Sequence, residues 1–158
     1  MHTSTKLVFY FLFGFWFISG CAEKMPENNN LNLIINVVKS YAWINLMPGG
    51  IPSFHFSGEL KIENNSEKLI KNLMLRQITI YDDTLEILKF TPRFIDLNSK
   101  SNNYFQPGEL KKFSVAAPDR IKVDNLLNVK LVNLLLNFSS GGKTFVYKIE
   151  NIKIERVY

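Results

Sequence analysis

The stretch FHFSGELKIEN, Phe54 to Asn64, alternates apolar and polar side chains almost step by step. Successive side chains of a β-strand point to opposite faces. Phe54, Phe56, Gly58, Leu60 and Ile62 then share one face, and His55, Ser57, Glu59, Lys61 and Glu63 the other. That is a half-buried strand with one wet side. The residues ENNSEK that follow, 63–68, supply the turn that ends it.

The same period recurs along the body of the chain, with no long helical stripe. In NLMLRQITIYDD, 72–83, Leu73 and Leu75 start in one phase and Ile78 and Ile80 resume in the other. A slip of one residue predicts a β-bulge near Arg76-Gln77. Further strands are expected at 31–46, 85–94, 110–117, 128–138 and 143–158. The last two flank SSGGK, where Gly141-Gly142 is a hairpin signal because both residues accept positive φ. Pro92 has no N–H for a ladder, so it belongs at a strand end or a sheet edge. The segment PDRIKVDNLLN, 118–128, reads as a loop. The total is about seven strands, punctuated at intervals that suit an antiparallel sandwich.

GELKIENNSEKLIKNLMLRQITIYD, followed by PGELKKFSVA, resembles the strand, Asn-turn, strand and Pro-Gly-strand pattern of small immunoglobulin-like domains. Such domains recur in exported bacterial proteins, and similar ones occur in the water-stress type late-embryogenesis-abundant family. The matching residues are Gly58, Asn64, Asn65, Pro107, Gly108, Glu109, Phe113 and Val115. The resemblance implies an all-β, antiparallel immunoglobulin-like sandwich over residues 31–158. A Cys…Trp…Cys signature is missing, which argues against an antibody-type domain.

The start of the chain has a different character. MHTSTK carries one lysine and no acid, and LVFYFLFGFWFIS, 7–19, carries no charge. Those 13 residues make a helix of about 20 Å, short of the bilayer core of about 30 Å but suited to the apolar core of a signal peptide. The end of this run with the two residues after it, Ile18-Ser19-Gly20-Cys21, resembles the lipobox of bacterial lipoproteins. The resemblance implies that the Cys21 thiol receives a diacylglycerol through a thioether. Cleavage then falls between Gly20 and Cys21, and the new amino terminus is often acylated as well. It also accounts for a single cysteine, since a thiol consumed by lipid forms no disulfide. Each buried methylene contributes about 0.8 kcal/mol, and two acyl chains hold stably where one does not. Ala22 stands where aspartate tends to mark inner-membrane retention in that family, so the outer of two membranes is the expected destination. The implied organisation is a signal peptide at 1–20, a lipidated cysteine with a flexible tether at 21–30, and the sandwich at 31–158. The nine tether residues AEKMPENNN reach at most about 30 Å.

Removal of 20 of the 158 residues leaves 138, and the formal charge falls from +5 to +4 as Lys6 departs. The basic residues are scattered, the longest run being Lys111-Lys112, which is no nucleic-acid stripe. His2 leaves with the leader, so any Ser-His-Asp triad has to use His55, and His/Cys metal cages have too few donors. Asp82 and Asp83 are neighbours on a strand end and point to opposite faces, which suits a solvated turn. Asp119 and Asp124 read as loop charges. No catalytic residue, metal or cofactor is expected.

Two features suit a partner. The loop NSKSNNYFQPG, 98–108, carries Tyr104 and Phe105, either as contact residues or folded back as a plug for the sandwich end. The strand VKLVNLLLNF, 129–138, is either central or an edge open to pairing. The expected function is a lipid-anchored envelope module that binds or scaffolds another envelope protein. The alternative is a protease inhibitor acting through the 98–108 loop.

Overall fold

The computed structural model describes residues 31–98, 104–119, 121–123 and 125–158. The expected leader (1–20), Cys21 and the expected tether lie outside the described residues, as do 99–103 of the long loop. Eleven strands form, and no helix among the described residues. In chain order they are β1 (Leu33–Asn45), β2 (Ser53–Asn64), β3 (Ile70–Lys71) and β4 (Met74–Asp82). Then follow β5 (Leu85–Phe90), β6 (Arg93–Asp96), β7 (Tyr104–Phe105) and β8 (Leu110–Ala116). The last three are β9 (Ile121–Lys122), β10 (Leu131–Ser140) and β11 (Lys143–Val157).

Hydrogen bonding runs along the path β5-β4-β10-β11-β1-β2-β8-β6, with β9 beside β2 and β3 paired to β7. The path folds into two layers that share β11. Its first part, from Lys143, pairs antiparallel with β10, and its last part, Ile154 to Val157, runs parallel to Ala42–Asn45 of β1. Between the two the β10–β11 register slips, and Asn151 adopts a left-handed φ of 58°. Asparagine tolerates that region better than most residues. The Asn151 N–H donates to Asn133 Oδ1 at 3.1 Å, which holds the bend. Ring contacts close the space between the layers: Phe54 of β2 against Phe90 of β5, and Phe94 of β6 edge-on to Phe138 of β10.

Phe54, Phe56, Leu60 and Ile62 of β2 are buried, as the alternation requires, and they meet Ile78, Ile80, Leu134, Leu136 and Phe138 from the other layer. Each such side chain stabilises the fold by about 1.5–3 kcal/mol through burial. The bulge in β4 is present. Asn137 pairs with Gln77 and Phe138 with Leu75, leaving Arg76 as the extra residue. The slip returns Leu75, Ile78 and Ile80 to one buried face.

Two expectations need correction. The sandwich is mixed rather than antiparallel, because β1 and β11 run parallel. The count of about seven rises to eleven, partly through the two-residue bridges β3, β7 and β9. It rises also because 85–94 divides at Thr91-Pro92 into β5 and β6, which sit at opposite ends of the path. Pro92 thus lies between two edge strands, where its missing N–H costs nothing. The segment at 118–128 is a loop as read, apart from the bridge β9, but it turns inward. Val123 and Leu126 are buried, and two tight turns, Leu126 N–H to Val123 O and Val129 N–H to Leu126 O, fold it over one end of the core.

Candidate functional site

The polar chemistry gathers at the end where the described chain enters the domain. β1 begins opposite Asn64, with Leu33 as its register partner. The Asn65 N–H donates to Asn32 O, and Asn32 Nδ2 returns a bond to Asn65 O. Asn64 itself is fully buried. Its Nδ2 donates to Lys68 O and to Phe105 O, both at 2.9 Å. Its Oδ1 accepts from the Ser66 N–H and the Ser66 hydroxyl. Its backbone bonds across to Glu109 O and to the Gly108 N–H, where Gly108 takes a φ of 70°. One amide therefore ties the 64–68 turn to the chain at 105–109, and every polar atom it buries is satisfied.

That tie decides the fate of the two aromatics. Phe105 is 2% exposed, paired with Ile70 and edge-on to Phe113. It belongs to the core, the plug of the two alternatives open for it. Tyr104, on the other face of β7, is 45% exposed beside Lys71, whose Nζ lies 5.7 Å from the ring centre.

Below Tyr104 sits Lys111, the first residue of the longest basic run, Lys111-Lys112. Within β8 it shares the buried face with Phe113 and Val115. Its Nζ donates to Tyr104 O at 2.7 Å and lies 3.7 Å from both Asp96 and Glu109. The period-two spacing Lys111, Phe113, Val115 was the signal that placed it inward. Lys111, Asp96, Asn72 and the rings of Phe94, Tyr104 and Phe105 line a cavity of about 190 Å³. Small-molecule sites are typically about 300–1,000 Å³. The cavity suits a few waters or one short polar side chain, and its ammonium is already engaged.

Elsewhere, His55 stacks on Trp43 with ring centres 5.1 Å apart, and its Nε2 lies 3.0 Å from Ser53 Oγ. A nucleophile–base pair needs a third group to orient the base and donors for an oxyanion. No such third partner accompanies His55 among the described residues. Asp82 ends β4, and Asp83 takes a φ of 54° in an exposed turn. Asp119 pairs with Arg93 at 3.3 Å in solvent, and Asp124 lies outside the described residues. No group of three or more metal-ligating side chains occurs among the described residues. The strand at 129–138 is central, flanked by β4 and β11.

No protein-family model matches the chain, and no curated protein matches it. Among solved structures it is similar to an uncharacterised β-sandwich protein from Clostridium difficile 630. The two are 16% identical over 75% of this chain and 85% of that one, with a TM-score of 0.34.

Proposed function

We propose that the chain is a lipid-anchored protein of the bacterial cell envelope whose immunoglobulin-like domain binds or scaffolds another envelope protein without catalysis. The observation that carries this reading is the order of its first thirty residues. An uncharged run of 13 residues, 7–19, ends within Ile18-Ser19-Gly20-Cys21, and a nine-residue stretch, AEKMPENNN, without apolar periodicity follows before the body. The anchor is a diacylglyceryl Cys21, with Gly20 as the last residue removed.

The strand order supports the immunoglobulin-like assignment. One layer runs β1-β2-β8-β6 and the other β5-β4-β10-β11, in the manner of the ABED and C′CFG sheets of immunoglobulin domains. The resemblance noted for Asn64 and Gly108 has a physical counterpart, since these two residues are hydrogen-bonded to each other.

A tether of nine residues holds the entry end of the domain within about 30 Å of the lipid surface. Tyr104 and the Lys111 cavity lie at that end, so the partner they meet is a protein at or near the same membrane. The test is affinity capture of the full chain from detergent-solubilised envelopes, comparing the natural protein with Tyr104→Ala. Recovery of one envelope protein, reduced severalfold by the substitution, supports the reading. An unchanged yield removes Tyr104 from the contact, and turnover of a substrate that depends on His55 removes the non-catalytic role.

A further inference from the structure

Apart from the two-residue bridges β3, β7 and β9 and the Met74–Gln77 end of β4, four strand segments among the described residues leave one side of their backbone unpaired. They are β5, β6, the first part of β1 (33–41) and the first part of β11 (143–150). Exposed edges template pairing with other chains, and proteins blunt them with bulges, prolines or short length. Three of the four are blunted. β5 has six residues, a register slip that leaves Ile87 unpaired, and Thr91-Pro92 directly after it. β6 has four residues and begins just after Pro92. β1 bulges at Val38, between the pairs Val37–Leu60 and Lys39–Glu59.

The β11 segment has none of these devices. From Lys143 to Glu150 it contains no proline or glycine, and its register with β10 is unbroken from Ser140–Lys143 to Leu134–Ile149. On its inner face Phe145, Tyr147 and Ile149 pack on the core but stay partly exposed, because β1 joins β11 only from Ile154 onward. On its outer face Val146 is 54% exposed, between Thr144 and Lys148. Lys148 is already ion-paired with Glu150, so its charge guards the edge weakly.

We propose that this edge pairs antiparallel with the same edge of a second copy, about a two-fold axis at Tyr147. The strand is self-complementary in that register. Tyr147 is the midpoint of 143–151, so the whole regular edge is used up to the bend at Asn151. Phe145 faces Ile149 of the second copy, Tyr147 faces its counterpart, and the partly exposed inner row is covered on both sides. On the outer face Val146 lies across from the methylene stem of Lys148 of the second copy, and Glu150 across from Thr144. No like charges stand directly opposite. Moving the axis toward Phe145 runs the ladder into Gly141-Gly142, and moving it toward Ile149 shortens it at Asn151. An axis along the membrane normal lays both domains flat and returns both entry points to one bilayer.

The test is sedimentation equilibrium of the full chain in density-matched detergent, with Val146→Lys and the double variant Val146→Lys/Lys148→Glu. The natural chain dimerises, and Val146→Lys weakens the dimer about tenfold or more, since it sets like charges directly opposite twice by symmetry. The double variant restores association, because the introduced ammonium then faces the introduced carboxylate. Both positions lie on the solvent face, so unchanged urea midpoints serve as the folding control. Amide exchange at 143–150 that slows with protein concentration adds support. A monomer at every concentration overturns the proposal, including one whose edge is protected by its own preceding residues. A dimer indifferent to Val146→Lys, or a double variant without recovery, overturns it equally.

Discussion

Asn64 donates from Nδ2 to the carbonyl of Phe105 at 2.9 Å, joining residues 41 positions apart in a site closed to solvent. The same nitrogen reaches Lys68 O, and Oδ1 holds Ser66. Asn64→Ala leaves the Phe105 carbonyl buried without this donor and releases the 105–109 chain. The expected loss is roughly 2–4 kcal/mol, from about 1–3 kcal/mol for each buried group left unsatisfied. Asn64→Asp does no better, because a carboxylate then faces two carbonyl oxygens. Urea denaturation measures both, and a loss under about 0.5 kcal/mol, within the range of ordinary surface changes, contradicts the clamp.

Lys111 is the buried cation of the same end. Lys111→Met keeps the apolar stem but leaves Tyr104 O without its donor and Asp96 and Glu109 without their shared cation. Removing one member of such a group is destabilising, here by about 1–3 kcal/mol since the carboxylates remain partly hydrated. The melting temperature falls accordingly. A more stable Lys111→Met variant shows that the ammonium is a cost rather than a support.

The bend in β11 rests on Asn151 at a φ of 58°. Asn151→Gly is expected to change stability little. Asn151→Val costs about 1–2 kcal/mol, the penalty of a left-handed residue with a crowded Cβ. Asn133→Ala, which removes the acceptor of the Asn151 N–H, costs about 1 kcal/mol. Equal stability of the Gly and Val variants contradicts the assigned geometry.

His55 acts as a ring against Trp43. His55→Phe preserves the stack and is expected to keep stability within about 0.5 kcal/mol, whereas His55→Ala loses about 0.5–1.5 kcal/mol. Tryptophan fluorescence and urea midpoints separate the two. If both substitutions destabilise alike, the Ser53 hydrogen bond matters more than the stack.

Local pattern carried the strands and their faces. The alternation of 54–62 and the phase slip at Arg76 were legible because side-chain direction in a strand depends on parity alone. Partners across the sandwich were not. The parallel meeting of Ala42–Asn45 with Ile154–Val157 joins the two extremes of the domain, and neither segment carries a local mark of it. The split of 85–94 was half visible, in Pro92, but nothing local says that β6 crosses to the other layer. Of the two readings open for Phe105, contact residue or plug, the local sequence could not choose, because its burial goes with a bond from distant Asn64. Lys111 was legible in principle. Its parity with Phe113 and Val115 outweighs its charge once carbonyl and carboxylate partners are at hand. The 118–128 segment hid a plug for the same kind of reason, since Val123, Leu126 and Val129 recur every third residue.

The most direct measurement is metabolic labelling with radioactive palmitate in a bacterial host, comparing the natural chain with Cys21→Ser. Label in the membrane fraction for the natural chain and none for Cys21→Ser, with the amino terminus at residue 21 and blocked, is the result that lipid anchoring requires. An unlabelled chain that begins at Met1 and remains in the cytosol contradicts it.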